Sequence, residues 1–225
     1  MAAIRAVGGD TPKFLINTHY HADHTGGNEN LGKAGTLIFS HDNVRDRLTV
    51  ETVIQAFNMV TPPLPKDALP VVTFSSDLTF HLNGEALHVF HVPHAHTDGD
   101  SVIHFEKANV IHTGDVLFNG FYPFIDVDHG GTVKGMIAAA DAILSLADGD
   151  TKLIPGHGPL GGKAQLQAYR DMLATVHARL RELKARGLDT DAAVAAKPLA
   201  DLEEHWGKGL FTGDKWVALV YGGLD

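Results

Sequence analysis

Four polar residues within one short segment have the types and spacing of a metal site. The segment reads HYHADH and contains His19, His21, Asp23 and His24. Side chains alternate along an extended chain, so the first two imidazoles face the same side and can share one cation. Where the chain bends at the following Thr-Gly-Gly, Asp23 and His24 can turn toward a second cation beside the first. The pattern is therefore a candidate nucleus for a site with two metal ions.

Three later residues follow predicted strands, at positions where loops would carry them to a common place. They are His96 in HAHTDGD, Asp115 in TGD and His157 in PGHGP. Ligands of layered sheet proteins gather at strand ends, which makes these three placements informative together. His94 could substitute for His96, but the position directly before Thr-Asp-Gly favours His96.

Short apolar runs and turn signals predict the elements that would position these residues. Strands are predicted over 13–17, 36–39, 73–92, 101–105, 109–112 and 151–154, and helices over 41–57, 132–146 and 165–186. The dipeptide Asn83-Gly84 predicts a hairpin turn inside the third of these strand regions. Strands mixed with outer helices indicate an α/β or α+β sheet protein. We predict one domain over 1–225, with a helical tail from about 188 to 225.

Composition excludes several classes of protein. The chain has 225 residues, 18 Lys and Arg against 27 Asp and Glu, and a formal net charge of −9 with neutral histidines. This acidic balance is unlike the basic footprint of a nucleic-acid-binding protein, and no apolar run approaches the roughly 20 residues of a membrane span. The absence of cysteine excludes disulfides, thiolate metal ligands and cysteine nucleophiles. The 15 histidines favour a metal protein.

Four ordered motifs between Phe14 and Leu160 (THYHADH, HTDGD, TGD and PGHGP) resemble those of the metallo-β-lactamase superfamily of binuclear metallohydrolases. The resemblance implies an α/β protein (α+β in some schemes), a four-layer αβ/βα sandwich with the metals at one edge between two sheets. It also implies the metal ligands: His19, His21 and His96 for one ion, Asp23, His24 and His157 for the other, and Asp115 bridging both.

Imidazole and carboxylate ligands suit two Zn²⁺ ions, although Mn²⁺ and Fe²⁺ accept the same ligands. Such ions lower the pKa of bound water toward about 7 and stabilise an oxyanion. We therefore expect a dinuclear metal-dependent hydrolase in which a hydroxide held between the metals attacks the carbonyl of a small ester, lactone, thioester or cyclic amide. Asp23 is the expected catalytic residue, which orients this nucleophile and accepts its proton.

Departures from three subfamilies narrow the expected chemistry. Diiron oxidoreductases of the superfamily have an acidic residue at the position of His21, so hydrolysis is favoured over redox chemistry. Cysteine-containing β-lactamases have a thiolate at the position of Asp115 and a lysine where this chain has Phe118. The segment after Asp115 also lacks the Gly-Cys-Gly-Arg-like element of glyoxalase II. The alternatives are a true β-lactamase, a phosphodiesterase or nuclease disfavoured by the acidic charge, and a non-catalytic metal-binding or assembly module.

The loop 119–131 is expected to pass near the metals, which makes His129 the first candidate among the remaining histidines. Two interpretations have equal weight for three aromatic residues, which either line the substrate pocket or belong to the hydrophobic core: Phe118, Phe121 and Tyr122. Asp98 and Asp100 either orient ligand histidines or cap a turn.

The expected partner is a small-molecule substrate, with neither nucleic acid nor a membrane. Only 18 residues precede His19, so the first sheet of the sandwich is expected to be incomplete. Two explanations are open: the chain is a truncated form, or a second copy of the chain covers the open edge of the sheet. The segment 1–10 lacks the features of a signal peptide. The sequence does not distinguish a cytoplasmic protein from a periplasmic one.

Overall fold

The computed structural model describes residues 2–224. Its strands, β1 to β10, are Phe14–Ile16, Leu37–His41, Thr52–Ile54, Met59–Thr61, Val72–Phe74, Asp77–Leu82, Glu85–His91, Ser101–Phe105, Val110–Phe118 and Lys152–His157. Its α-helices, α1 to α9, are Ala2–Ala6, Ala22–Thr25, Asn28–Lys33, Asp42–Leu48, Val133–Leu146, Lys163–Ala185, Thr190–Ala195, Glu203–Trp206 and Gly213–Val220. Short 3₁₀ helices occur at Gln55–Phe57, Lys66–Ala68, Val127–His129 and Tyr221–Gly223.

Two sheets and one separate hairpin contain the strands. The first sheet is parallel and has the order β1-β2-β5, whereas the second has the order β10-β9-β8-β7-β6 and is parallel only between β10 and β9. Strands β3 and β4 form a two-stranded antiparallel hairpin of their own. The predicted Asn-Gly turn joins β6 to β7, and Asn83 and Gly84 both have positive φ, as a two-residue hairpin turn of this kind requires.

The sheets pack face to face with helices on both outer faces. Ile16 and Phe74 of the first sheet pack against Val89 and Ile103 of the second, because alternate apolar side chains of each sheet point toward the other. Helices α3 and α4 contact the first sheet, while α5 lies on β9 and packs against α6. The order of layers is helix, sheet, sheet, helix, which agrees with the expected α/β sandwich.

The first sheet has three strands, and β1 is its edge among residues 2–224. Phe14 on β1 and Leu37 on β2 are 36% and 46% exposed, so this side of the sheet leaves apolar surface open. The three strands fit the expectation of an incomplete first sheet. A second copy that covers this edge stays a prediction.

Three predicted elements differ from the structure. The helix predicted over 41–57 ends at Leu48, and the segment that follows forms the β3–β4 hairpin. The β-branched run Thr52–Ile54 favours a strand over a helix, which explains the difference.

The other two elements are strands that are longer than predicted. The strand predicted over 151–154 continues to His157, so His157 ends a strand and does not lie in a loop after one. Strand β9 continues to Phe118, so Asp115 lies inside a strand and not in a loop after one.

The C-terminal tail shares the main hydrophobic core. Trp216 of α9 is fully buried, its indole N–H donates to the carbonyl oxygen of Pro123, and its ring stacks on Tyr122. The same cluster of buried side chains contains residues of β9, α5 and α6. This continuity supports one domain over 1–225, which stays a prediction. No helix within 2–224 has the length and apolarity to cross a bilayer.

Replacing Trp216 with Ala is expected to lower the free energy of unfolding by about 3–5 kcal/mol, because the change leaves a large cavity and frees the carbonyl of Pro123. Urea unfolding followed by circular dichroism measures the loss. The control is Lys215→Ala at the exposed neighbouring position, which is expected to change stability by about 0.5 kcal/mol or less. Equal stability of the two variants would show that the tail is not part of the core.

Candidate metal centre

The first histidines of the candidate site lie between β1 and the short helix α2. His21 has extended backbone angles (φ −61°, ψ 148°) and directly precedes α2, so the chain changes direction within the motif. His19 and His21 are 0% and 5% exposed. Asp23 and His24 belong to α2 itself, and their possible ligand atoms group with His157 and not with the buried pair. The predicted division of the motif into two halves is present in the structure.

Four buried residues form the first group of possible metal ligands: His19, His21, His96 and Asp115. One ligand atom from each lies within 4.8 Å of every other. The Nε2 atom of His96 is 2.8 Å from Nδ1 of His21 and 3.4 Å from Oδ2 of Asp115. Ring nitrogens that face one another and a carboxylate at these distances are arranged as ligands of one cation would be.

A second group of possible ligands lies beside the first and is more open to solvent. It consists of Asp23, His24 and His157. The Nε2 atoms of His24 and His157 are each 3.2 Å from Oδ2 of Asp23 and 3.5 Å from one another. All seven predicted site residues therefore fall into two adjacent groups.

Asp115 connects the two groups. Its Oδ1 is 3.1 Å from Nε2 of His24, and its Oδ2 is 3.4 Å from Nε2 of His157. The same Oδ2 atom is 3.7 Å from Nε2 of His19 in the first group. The carboxylate thus reaches both groups, as a bridging ligand must.

Glycine is required at Gly156 for this approach. A Cβ atom on Gly156 would lie 1.9 Å from Oδ1 of Asp115 and 2.9 Å from the backbone of Gly114. Strand β10 therefore passes closer to the carboxylate than any side chain permits. The PGHGP motif places His157 directly after this close contact.

Hydrogen bonds to the outer ring nitrogens orient the buried imidazoles. His96 donates from Nδ1 to the carbonyl oxygen of Phe124 at 2.7 Å, which leaves Nε2 free to bind a cation. His19 Nδ1 lies 3.1 Å from the hydroxyl of Thr18. Such partners fix the tautomer of a metal-binding histidine.

Asp126 is a supporting residue that sequence reasoning missed. It accepts a hydrogen bond from Nε2 of His21 at 3.0 Å, from the hydroxyl of Tyr20, and from Nδ1 of His129 at 2.8 Å. The expectation that the loop 119–131 lies near the site is met through Asp126 and His129. A carboxylate three residues before the candidate His129 was the available signal.

Asp100 supports a turn, which is the second of the two interpretations expected for it, whereas the carboxylate of Asp98 pairs with an arginine and fits neither interpretation. Asp100 accepts hydrogen bonds from the backbone N–H and the hydroxyl of Thr97. Asp98 forms a two-point ion pair with Arg47, at 2.8 and 2.5 Å.

Electrostatics differ between the two groups. Burial lowers the pKa of His96 to about 4 and also holds the pKa of His19 well below its usual value. Burial would lower the pKa of His24 too, but hydrogen bonds to Asp115 and Asp23 raise it to about 10. Burial would raise the pKa of Asp115, yet the surrounding imidazoles hold it well below the usual range. His19 and His96 are therefore neutral imidazoles beside a carboxylate, which is the protonation state that metal binding needs.

The residues present fit a metal centre. Nε2 of His19 is buried and has no hydrogen-bond partner, and a buried nitrogen without a partner is costly unless a cation binds it. The donor set is imidazole and carboxylate, which suits Zn²⁺ and other first-row divalent ions.

A cavity of about 500 Å³ opens onto the second group and onto Asp115. Phe118 lines it and stacks on His157, with ring centroids 5.0 Å apart. Tyr122 is instead a fully buried core residue, and Phe121 packs against the core. Of the three aromatic residues weighed as pocket wall, Phe118 alone is among those that line this cavity.

Replacing Asp126 with Asn is expected to weaken metal binding by about 10–100-fold, because His21 loses the charged acceptor that orients its ring. Competition with a chromophoric chelator measures the affinity. Asp128→Asn, at an exposed position of the same loop, is the control and is expected to leave the affinity unchanged. Equal affinities of the two variants would mean that Asp126 does not support the site.

Comparisons with known proteins identify the family. A family model described as the metallo-beta-lactamase superfamily matches residues 1–157. A probable hydroxyacylglutathione hydrolase of Schizosaccharomyces pombe is 30% identical over 150 residues, which cover 64% of this chain and 47% of that protein. The chain spans between 37% and 63% of the length of three curated relatives that it matches.

Solved structures share the fold. A metallo-beta-lactamase from Pontibacter korlensis is 20% identical with a TM-score of 0.60, over 77% of this chain and 74% of that one. TTHA1623 in a di-iron-bound form is 25% identical with a TM-score of 0.60, over 74% of this chain and 79% of that one. The two sheets, the ordered motifs and the family match lead to one conclusion: this chain belongs to the metallo-beta-lactamase superfamily.

Proposed function

We propose that this chain is a dinuclear metal-dependent hydrolase that acts on the carbonyl group of a small ester, lactone, thioester or cyclic amide. The observation that carries the proposal is the convergence of seven possible ligands in two adjacent groups, with Asp115 close to histidines of both groups. Membership of the superfamily and the hydrolase names of the curated relatives support the same reaction type.

The proposed ligands of one ion are His19, His21 and His96, those of the other are Asp23, His24 and His157, and Asp115 is shared. When bound, two divalent ions supply an activated water near neutral pH and positive charge that stabilises the oxyanion of the reacting carbonyl. We propose zinc because the donors are imidazole and carboxylate. Iron and manganese are the alternatives, and the di-iron form of a 25% identical protein is a reason to test iron.

Asp23 is the proposed base. Its side chain is 57% exposed and lines the cavity, so a substrate and a water molecule can both reach it. A hydrogen bond from His24 lowers the pKa of Asp23, which keeps the carboxylate ionised at neutral pH and able to accept a proton. Asp23 therefore orients the attacking water and removes its proton.

Among the four substrate types, the thioester has additional support, since three curated relatives carry the name hydroxyacylglutathione hydrolase. A panel of p-nitrophenyl acetate, a δ-lactone, an acyl thioester and a chromogenic cephalosporin, assayed with the metal-loaded protein, tests the reaction type. Turnover of one of the first three supports the proposal. Turnover of the cephalosporin alone would favour a β-lactamase, and absence of all turnover would favour a non-catalytic module.

Replacing Asp115 or His157 with Ala is expected to abolish turnover and to reduce bound metal from about two equivalents per chain, since each variant removes a ligand of the second ion. Elemental analysis and the hydrolase panel measure the two effects. His81→Ala is the matched control, because His81 is exposed and lies on β6, away from the site. Full activity in both site variants would contradict the assignment.

Acidification is expected to remove the second ion before the first. Protons compete with metal for His24, whose pKa is raised to about 10, and for His157, whose pKa is raised by Asp115. His96, with a pKa of about 4, and His19 stay neutral at pH 5.5. About two equivalents of metal are expected at pH 8 and about one after dialysis at pH 5.5. Simultaneous loss of both ions would contradict this order of affinities.

A further inference from the structure

The wall of the cavity above the proposed metal centre is apolar on every side that the ligands do not occupy. The ligand side contributes His21, Asp23, Asp115 and His157. Ala22 and six larger apolar residues complete the lining of about 500 Å³: Ile54, Phe57, Met59, Phe118, Phe124 and Leu210. Such a cavity can bury an apolar group that is held beside the reacting carbonyl.

The β3–β4 hairpin supplies half of these larger apolar residues. Phe57 and Met59 lie at its tip and are 45% and 36% exposed. The ring of Phe57 contacts that of Phe124 with centroids 4.8 Å apart and stacks on Phe211 at 6.0 Å. The hairpin is thereby held over the cavity, and Ile54, which pairs with Met59, is buried in the main core.

Within residues 2–224, no Lys or Arg side chain lines this cavity to balance a negative charge on a bound substrate. Among the described residues that line it, the polar groups are all proposed metal ligands. Lys208 is exposed and precedes Leu210 by two residues, but it is not part of the lining. A carboxylate on the far end of an acyl group would lose water there and gain no partner, which disfavours its binding.

We propose that this cavity selects substrates whose acyl group is uncharged and apolar, with the β3–β4 hairpin as the recognition element. The inference rests on the proposed hydrolase function and narrows it to neutral, hydrophobic acyl esters, lactones or thioesters.

The test compares two p-nitrophenyl esters of equal length, the pentanoate and the glutarate half-ester, with the metal-loaded chain. The pentanoate is expected to have a kcat/KM higher by about tenfold or more, because the half-ester must bury an unpaired carboxylate. Each added methylene in the neutral series from acetate to pentanoate is expected to raise kcat/KM by up to about fourfold. Preference for the half-ester, or no dependence on chain length, would overturn the inference while leaving the hydrolase function in place.

A positive charge introduced on the β3–β4 hairpin tests whether this hairpin recognises the acyl group of the substrate. Phe57→Arg is expected to lower the ratio of the two kcat/KM values by about tenfold, because the guanidinium can pair with the carboxylate. Val60→Arg is the matched control, since Val60 is 57% exposed on the same hairpin and does not line the cavity. An equal change in both variants would indicate general charge attraction and would contradict the role of the hairpin.

Binding of inert analogues separates the inference from the proposed function. The anilide of pentanoic acid and the mono-anilide of glutaric acid are amides that resist hydrolysis. Calorimetry with the metal-loaded chain measures the affinity of each anilide. Tighter binding of the pentanoyl anilide supports selection of apolar acyl groups by the cavity. This conclusion holds even if neither ester is hydrolysed, because absence of hydrolysis would contradict only the proposed hydrolase function. Tighter binding of the glutaryl anilide that Lys208→Ala abolishes would show that Lys208 reaches the cavity and would overturn the inference.

Discussion

A carboxylate buried among imidazoles is the constraint on which the rest of this structure depends. Asp115 is 4% exposed, and taking its charge out of water is unfavourable unless nearby groups compensate. Imidazoles from both groups of possible ligands lie within 3.1 to 3.7 Å of its oxygens. The arrangement leaves one buried group unsatisfied, since Nε2 of His19 has no hydrogen-bond partner.

The backbone and the hydrogen bonds around Asp115 fix the positions of the possible metal ligands. Asp115 lies within the long strand β9, and β10 runs beside it with a shift in register at Pro155. That irregularity and the missing side chain of Gly156 let the neighbouring strand approach the carboxylate. A backbone carbonyl orients His96 and Asp126 orients His21, so both rings are placed before any ion binds. Such preorganisation is what a metal centre needs from its protein.

The two sides of the site come from different kinds of structure. The proposed ligands lie on strands β9 and β10, on the short helix α2 and in short loops beside the sheets. Half of the larger apolar residues of the opposite wall come from the small β3–β4 hairpin, and Leu210 comes from the C-terminal tail, both outside the two main sheets, whereas Phe118 belongs to β9. The hairpin and the tail can therefore change in evolution without displacing the proposed ligands.

Four of the seven proposed ligands were readable from the local spacing of HYHADH, whereas the complete set and its division between two ions came from the resemblance to the superfamily. The amphipathic helices and the Asn-Gly hairpin were also predictable from local spacing. The helix expected over 41–57 was wrong, since the β-branched run Thr52–Ile54 forms a hairpin that covers the cavity. Asp126 was missed because its partner His21 lies 105 residues earlier. Contacts at that separation, and the apolar wall that Phe57 completes, depend on how the sheets pack, and only the tertiary structure decides this.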